Sequence, residues 1–212
     1  MWLMEWSTVA EIGTAAGTLV LATATFAAVR SSNSSARLAE RSLQSEIKPL
    51  LIPSKTSDED QKIGFVDSHW VHVAGGRGTA EATDEAIYLT LSLRNVGPGL
   101  ALLNAWMFYP DRFVGETARP DHRAFHRLTR DIYIPSGDLG FWQGALRDPS
   151  DPAFGQAGSM IRNRETFTVD LLYGDVEGGQ RMISRFAFGP TRDEGWVPAV
   201  SKHWNVDRPD PR

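Results

Sequence analysis

Ile87, Leu89, Leu91 and Leu93 alternate with Tyr88, Thr90, Ser92 and Arg94. Side chains of a strand point to opposite faces at every step, so this order commits the segment to β-structure with one apolar side. Asn95-Val96-Gly97-Pro98-Gly99 then breaks the pattern with strong turn chemistry. A second apolar run, Leu100 to Tyr109, follows at once, so the two segments pair or form a corner between sheets. Phe167, Val169, Leu171 and Tyr173 repeat the alternation, and Gly174 to Gly179 turns the chain into Met182–Phe188 as an antiparallel hairpin. Weaker strands are expected at Leu50–Ile52, Lys62–Val73, Ile132–Ile134 and Leu139–Ala145. Short strands separated by Gly/Pro turns predict a mainly β domain over 49–188, an antiparallel immunoglobulin-like β-sandwich. Residues 189–212 form a C-terminal tail, of which Trp196 and Trp204 predict that part docks on the sandwich.

Composition narrows the class. The chain has 212 residues, 42% hydrophobic and 23% charged, with a net charge of −4 and no cysteine. These values exclude a disordered or collagen-like chain and a disulfide-stapled scaffold. They also exclude thiol catalysis, thiolate zinc sites and iron–sulfur clusters. Nucleic acid is not an expected partner, because such proteins carry a basic excess.

Ile12–Val29 contains no charged residue and is bounded by Glu11 and Arg30. As a helix it is roughly 27 Å long, close to the thickness of a bilayer's hydrocarbon core. The stretch is rich in Ala and Thr, with Trp2 and Trp6 upstream where an interfacial aromatic belt lies. A transmembrane helix over 12–29 is the expectation. A signal peptide is disfavoured by Glu5 and Glu11 in a leader without Lys or Arg, and a buried helix is the remaining alternative. Arg30, Arg37, Arg41 and Lys48 follow the stretch and no basic residue precedes it, so residues 1–11 are expected outside and the rest in the cytoplasm. Gly13 and Gly17 form a Gly-x-x-x-Gly pair that admits a second helix, making a homodimer through this segment possible. Residues 30–48 predict a separate juxtamembrane stalk helix ending before Pro49.

Several short stretches carry a likeness. The weak anchor, the charged stalk, Ile47-Lys48-Pro49-Leu50-Leu51, the segment Leu93 to Ala101 and the hairpin Tyr173 to Gly178 resemble a diffuse group of uncharacterised bacterial single-pass membrane-anchored proteins with an immunoglobulin-like β-sandwich domain. The resemblance implies fold and topology, and it carries no active site.

No catalytic, cofactor or metal set emerges. His69 and His72 fall in a predicted strand, pointing to opposite faces. His122 and His126 would share a helix face, but the glutamate of a His-Glu-x-x-His zinc site is missing. Gly75-Gly76-Arg77-Gly78 lacks the Lys-Ser/Thr of a phosphate loop. Arg119, Arg123, Arg127 and Arg130 recur at helical spacing after a favourable Pro120, predicting a basic helix stripe. Such a stripe would contact anionic lipid or a protein partner, or be a solvated face paired with Asp111, Glu116 or Asp131.

The expected function is therefore a membrane-anchored, non-enzymatic interaction module, an accessory or scaffolding subunit with a protein partner and no cofactor. An extracytoplasmic ligand- or envelope-binding sensor is the first alternative. A hydrolase or metal protein using the histidines is the second.

Overall fold

The alternating segment becomes the strand around which the others assemble. The structure is a computed structural model that describes residues 2–110, 119–193 and 195–209. Within the N-terminal helix the side chains of 2–10, 12, 41 and 44–46 lie outside the described set, among them Trp2, Trp6 and Ile12. Asp111 and Glu116, expected as arginine partners, also lie outside the described residues.

A single helix, α1, runs Trp2–Glu46. Eleven strands follow: β1 (Leu51–Pro53), β2 (Gln61–Gly64), β3 (Trp70–Val73), β4 (Gly78–Ala82), β5 (Ile87–Asn95), β6 (Ala101–Tyr109), β7 (His126–Ile134), β8 (Leu139–Leu146), β9 (Phe167–Gly174), β10 (Arg181–Pro190) and β11 (Trp196–Asn205). A 3-10 turn at His122–Ala124 precedes β7, and helix α2 (Pro152–Arg162) separates β8 from β9. The chain divides into two compact units, the first ending at Ser45 and the second beginning at Glu46.

Nine strands make one antiparallel sheet in the order β1-β5-β4-β11-β10-β9-β6-β7, with β8 on the other edge of β5. Strands distant in the sheet order share one core. Trp106 of β6 meets Trp142 of β8 edge-on at 5.2 Å, and Phe167, Phe188 and Trp196 stack into the same core. The backbone N–H of Leu51 in β1 donates to the buried Tyr173 hydroxyl of β9 at 3.3 Å. The protein is mainly β, an antiparallel sheet with two helices.

β5 is buried on both faces. Its leucines enter the main core, while Tyr88 packs with Ile63, Val71 and Val73 of the two-stranded β2–β3 sheet and with Phe65 just beyond β2. Thr90 and Ser92 are fully buried too, and they are satisfied by Thr79 at 2.6 Å and by Ser54 and Gln61 at 2.6 and 3.0 Å. The sequence predicts a polar outer face here; the β2–β3 layer covers it.

Asn95 ends β5 fully buried, with every hydrogen-bonding group of its side chain used. Its Nδ2 donates to the carbonyls of Gly99 (2.6 Å) and Ile134 (3.0 Å). Its Oδ1 accepts from the backbone N–H groups of Leu50 (3.1 Å) and Gly97 (3.0 Å). Gly99 must be glycine, because a Cβ there would stand 1.8 Å from the Ile47 carbonyl oxygen.

Three sequence expectations are corrected. Residues 30–48 are not a separate stalk helix, since α1 continues through them without a break. Among the described residues no helix is long and apolar enough to cross a membrane. The physical reason is composition: Ala, Thr and Gly occupy most of 12–29. The basic helix over Arg119–Arg130 does not form, because β6 draws His126–Ile134 into the sheet as β7. The C-terminal segment does more than dock: β11 pairs along β10 and meets β4 at Trp196 and Gly78.

Helix α2 had no expectation. Asp151 caps it, accepting from Ala153 N–H at 2.8 Å, and Pro152 opens the first turn. Ala157 and Ile161 then enter the main core.

Replacing Asn95 with Ala removes the side-chain partner of the Leu50 and Gly97 N–H groups and of the Gly99 and Ile134 carbonyls. At about 1–3 kcal/mol for each unsatisfied buried group, we expect Asn95→Ala to cost at least about 3 kcal/mol in urea unfolding. The exposed Thr129→Ala should stay within about 0.5 kcal/mol of the wild type.

Candidate functional site

The outer face of β6, β9 and β10 carries a second apolar cluster of Ala105, Leu172, Ile183, Phe125, Trp204 and Val206. Residues 119–125 cross this face and are fastened there by Arg119. Its Nη1 donates to the carbonyls of Asn205 and Val206 at 2.7 and 2.9 Å. Asp121 caps the 3-10 turn by accepting from Arg123 N–H at 3.0 Å.

The pairing of β6 with β7 is interrupted next to this cluster. Leu103 faces Ile132 and Ala105 faces Arg127, so β7 bows outward over 128–131 opposite Asn104. The bow opens a pocket of about 360 Å³. Ala105, Leu172, Phe125 and Leu128 give it apolar walls, and His122, Arg123, Arg127, Asp131 and Arg181 give it a charged rim. Asn104 lines it as well, and the buried Oδ1 of that residue has no hydrogen-bond partner.

The rim side chains differ in commitment. Arg181 clasps Asp207 through Nη2 and Nε at 2.6 and 3.1 Å, which holds the Asp207 carboxyl below the usual carboxylate range. His122 stands 3.9 Å from Asp121. The guanidinium groups of Arg123 and Arg127 have no hydrogen bond or ion pair among the described residues.

The four arginines singled out by spacing are thus dispersed. Arg119 is a structural clamp, Arg123 and Arg127 line the pocket, and Arg130 lines a separate gap of about 30 Å³ between β7 and β8. That gap has room for about one water beside the unpartnered Oε1 of Gln143. Asn104, Leu172 and Arg181 escape a sequence reading because strand pairing, not spacing, brings them to residues 122–131. Gly13 and Gly17 have nothing within 4 Å of an added Cβ.

The histidines do not converge. His122 lies in the 3-10 turn, and His126 begins β7, 3.7 Å from Asp151 and against Trp106. His69 stacks on Tyr88 at 4.1 Å and bonds Glu81 at 2.9 Å. Among the described residues no group of three or more His, Asp or Glu is placed to hold a metal ion. A Ser–His contact does occur: Ser184 Oγ lies 2.5 Å from His203 Nδ1 and 2.7 Å from the Tyr173 hydroxyl. Ser184 is fully buried, and burial pushes the Tyr173 phenol up to about 12. The contact is therefore an internal polar chain rather than an exposed nucleophile.

A further buried pair supports the face. Arg185 donates to Asp170 through Nε and Nη2 at 2.7 and 2.6 Å and lies over the rings of Tyr109 and Trp204, each at 5.1 Å. Burial raises the Asp170 carboxyl, and the arginine opposes that rise.

Comparison with known proteins adds little. No family model matches the chain, and no curated protein matches it. Among solved structures, a β-glucosidase from Kluyveromyces marxianus is similar at 12% identity and a TM-score of 0.22. That likeness covers 60% of this chain and 14% of the other, and it carries no argument about fold or activity.

Two outcomes follow from these contacts. Arg119→Gln should release the 205–206 segment, seen as faster proteolytic trimming of the C-terminal residues, whereas Arg130→Gln should leave trimming unchanged. Asp67 offers a pH test. Burial pushes its carboxyl up, but bonds from Arg147 (2.9 Å) and Tyr88 (2.8 Å) prevail and hold it at about 2, against 3.8 for a free aspartate. The folded value is the lower one, so the stabilisation is complete above pH 3.8 and fades as pH falls toward about 2. Thermal unfolding of wild type and Asp67→Asn should differ at pH 6 and converge near pH 2.

Proposed function

We propose that the chain is a membrane-anchored, non-enzymatic binding module: α1 seats in a bilayer and the β domain holds a partner or ligand beside it. The supporting observation is the all-round exposure of apolar residues on α1. Leu19, Val20 and Leu21 are consecutive and 69%, 64% and 69% exposed, and Phe26 is 69% exposed. Successive helical residues point about 100° apart, so these side chains face several directions at once. Exposed apolar side chains on several faces of a helix suit a surrounding apolar medium better than a one-sided groove.

The threonines suit that medium. Thr18, Thr23 and Thr25 donate their hydroxyls to the carbonyls of Thr14, Val20 and Leu21 at 2.8, 2.9 and 2.7 Å. Such internal bonds remove the cost of placing a hydroxyl in lipid. The helix is only weakly apolar, and the small face at Gly13 and Gly17 offers a second copy close packing in compensation. Arg30 and Arg37 beyond the uncharged stretch favour an outside N-terminus and a cytoplasmic β domain. In the β domain, the pocket rimmed by Arg123 and Arg127 is the contact site this reading assigns.

Flotation and carbonate extraction of the full chain test the anchor. The chain should remain with the membranes after washing at alkaline pH. Recovery in the supernatant overturns the anchor. Gly13→Ile with Gly17→Ile should weaken the crosslinked dimer in membranes, and an unchanged dimer removes the helix contact. Protease protection of a C-terminal tag in sealed inside-out vesicles would reverse the orientation and favour the extracytoplasmic sensor.

A further inference from the structure

We infer that the pocket under the bowed segment of β7 binds a small amphipathic carboxylate, an aliphatic acid with its chain on the apolar walls and its carboxylate at Arg123 and Arg127. This rests on reading the β domain as a binding module, and is independent of where α1 sits.

The volume comes first. About 360 Å³ lies at the small end of ligand pockets, suited to an acid of a few carbons and too small for a folded partner's surface. Ala105 and Leu172, from paired strands β6 and β9, set the floor, and Phe125 closes one side. Such walls favour a ligand with an apolar body, because its burial is driven by the area withdrawn from water.

Charge fixes the head group. Arg123 and Arg127 carry guanidinium groups without a partner among the described residues. Two of the nearby acids are otherwise engaged: Asp207 is clasped by Arg181, and Asp121 caps the turn. An incoming carboxylate meets arginine through short, charge-assisted hydrogen bonds. Asp131 on the same rim limits the site to a single negative charge and opposes a phosphate dianion. An amine would meet two like charges, and an alcohol would offer the guanidinium groups only a neutral acceptor, with a weaker bond than a carboxylate gives.

The test uses the full chain in a mild zwitterionic detergent, which needs no bilayer, with detergent alone as the blank, and titrates hexanoate, hexanol, hexylamine and inorganic phosphate by calorimetry. Hexanoate should bind saturably, with hexanol and hexylamine at least about tenfold weaker. Arg123→Gln with Arg127→Gln should weaken hexanoate about tenfold or more, while the Lys pair retains most of the binding and Arg130→Gln all of it. Circular dichroism should show all three variants folded, since both pocket arginines are exposed. Absence of saturable hexanoate binding overturns the inference. So does wild-type affinity in the folded Gln pair, or phosphate binding as tightly as hexanoate. The anchor stands or falls by flotation alone, so failure there and failure here are told apart.

Discussion

Asn95 ties together three parts of the β domain that no local preference would bring to one point. Its amide holds the lead-in to β1 through Leu50, the turn through Gly97 and Gly99, and the end of β7 through Ile134. Its backbone adds the β7–β8 turn, donating to Asp138 O at 3.2 Å and accepting from Gly137 N–H at 2.8 Å. A buried amide is costly unless satisfied, so this position tolerates only a geometry in which all these segments are in place. Register follows from that condition. With Asn95 fixed, β5 presents leucines to the main core, and β6 starts at Ala101 with its alternate residues facing Trp142 and the aromatics of β9 and β10.

Around this point the sheet is covered on faces that a two-layer picture leaves open. β5 has the β2–β3 layer over Tyr88, Thr90 and Ser92, and β9 has Asp170 and Leu172 buried beneath Arg185, Trp204 and the crossing 119–125 segment. Polar residues on these second faces are matched by partners rather than by water. The same coverage makes the pocket: the crossing segment forms one wall, and the interrupted β6–β7 ladder supplies the opening.

Much of the fold was legible in the sequence. The alternation at 87–94 and 167–173 and the turn chemistry at 95–99 and 174–179 marked strands and corners correctly, because period-two patterning and glycine-rich turns are local properties. What stayed hidden was set by distant partners. Arg119 to Arg130 has helical spacing, yet the pairing of Ala105 with Arg127 and Leu103 with Ile132 decides the outcome. Helix α2 carried legible signals in Asp151 and Pro152, but its short apolar stripe of Ala157 and Ile161 was too sparse to stand out. Of the pocket, Arg123 and Arg127 were visible as part of a basic run, whereas Asn104, Leu172 and Arg181 come from three other strands.

The place of β11 bears on how the protein is made. It lies inside the sheet, between β10 and β4, although its residues 196–205 follow every other described strand in the sequence. Until they leave the ribosome, β10 and β4 have unpaired edges facing each other, and the aromatic core around Trp196 lacks a wall. Helix α1 can form as it emerges, but the β domain can only close after translation of its last strand. Such late, non-local closure makes folding slow and leaves a nascent chain with open strand edges that invite pairing between molecules.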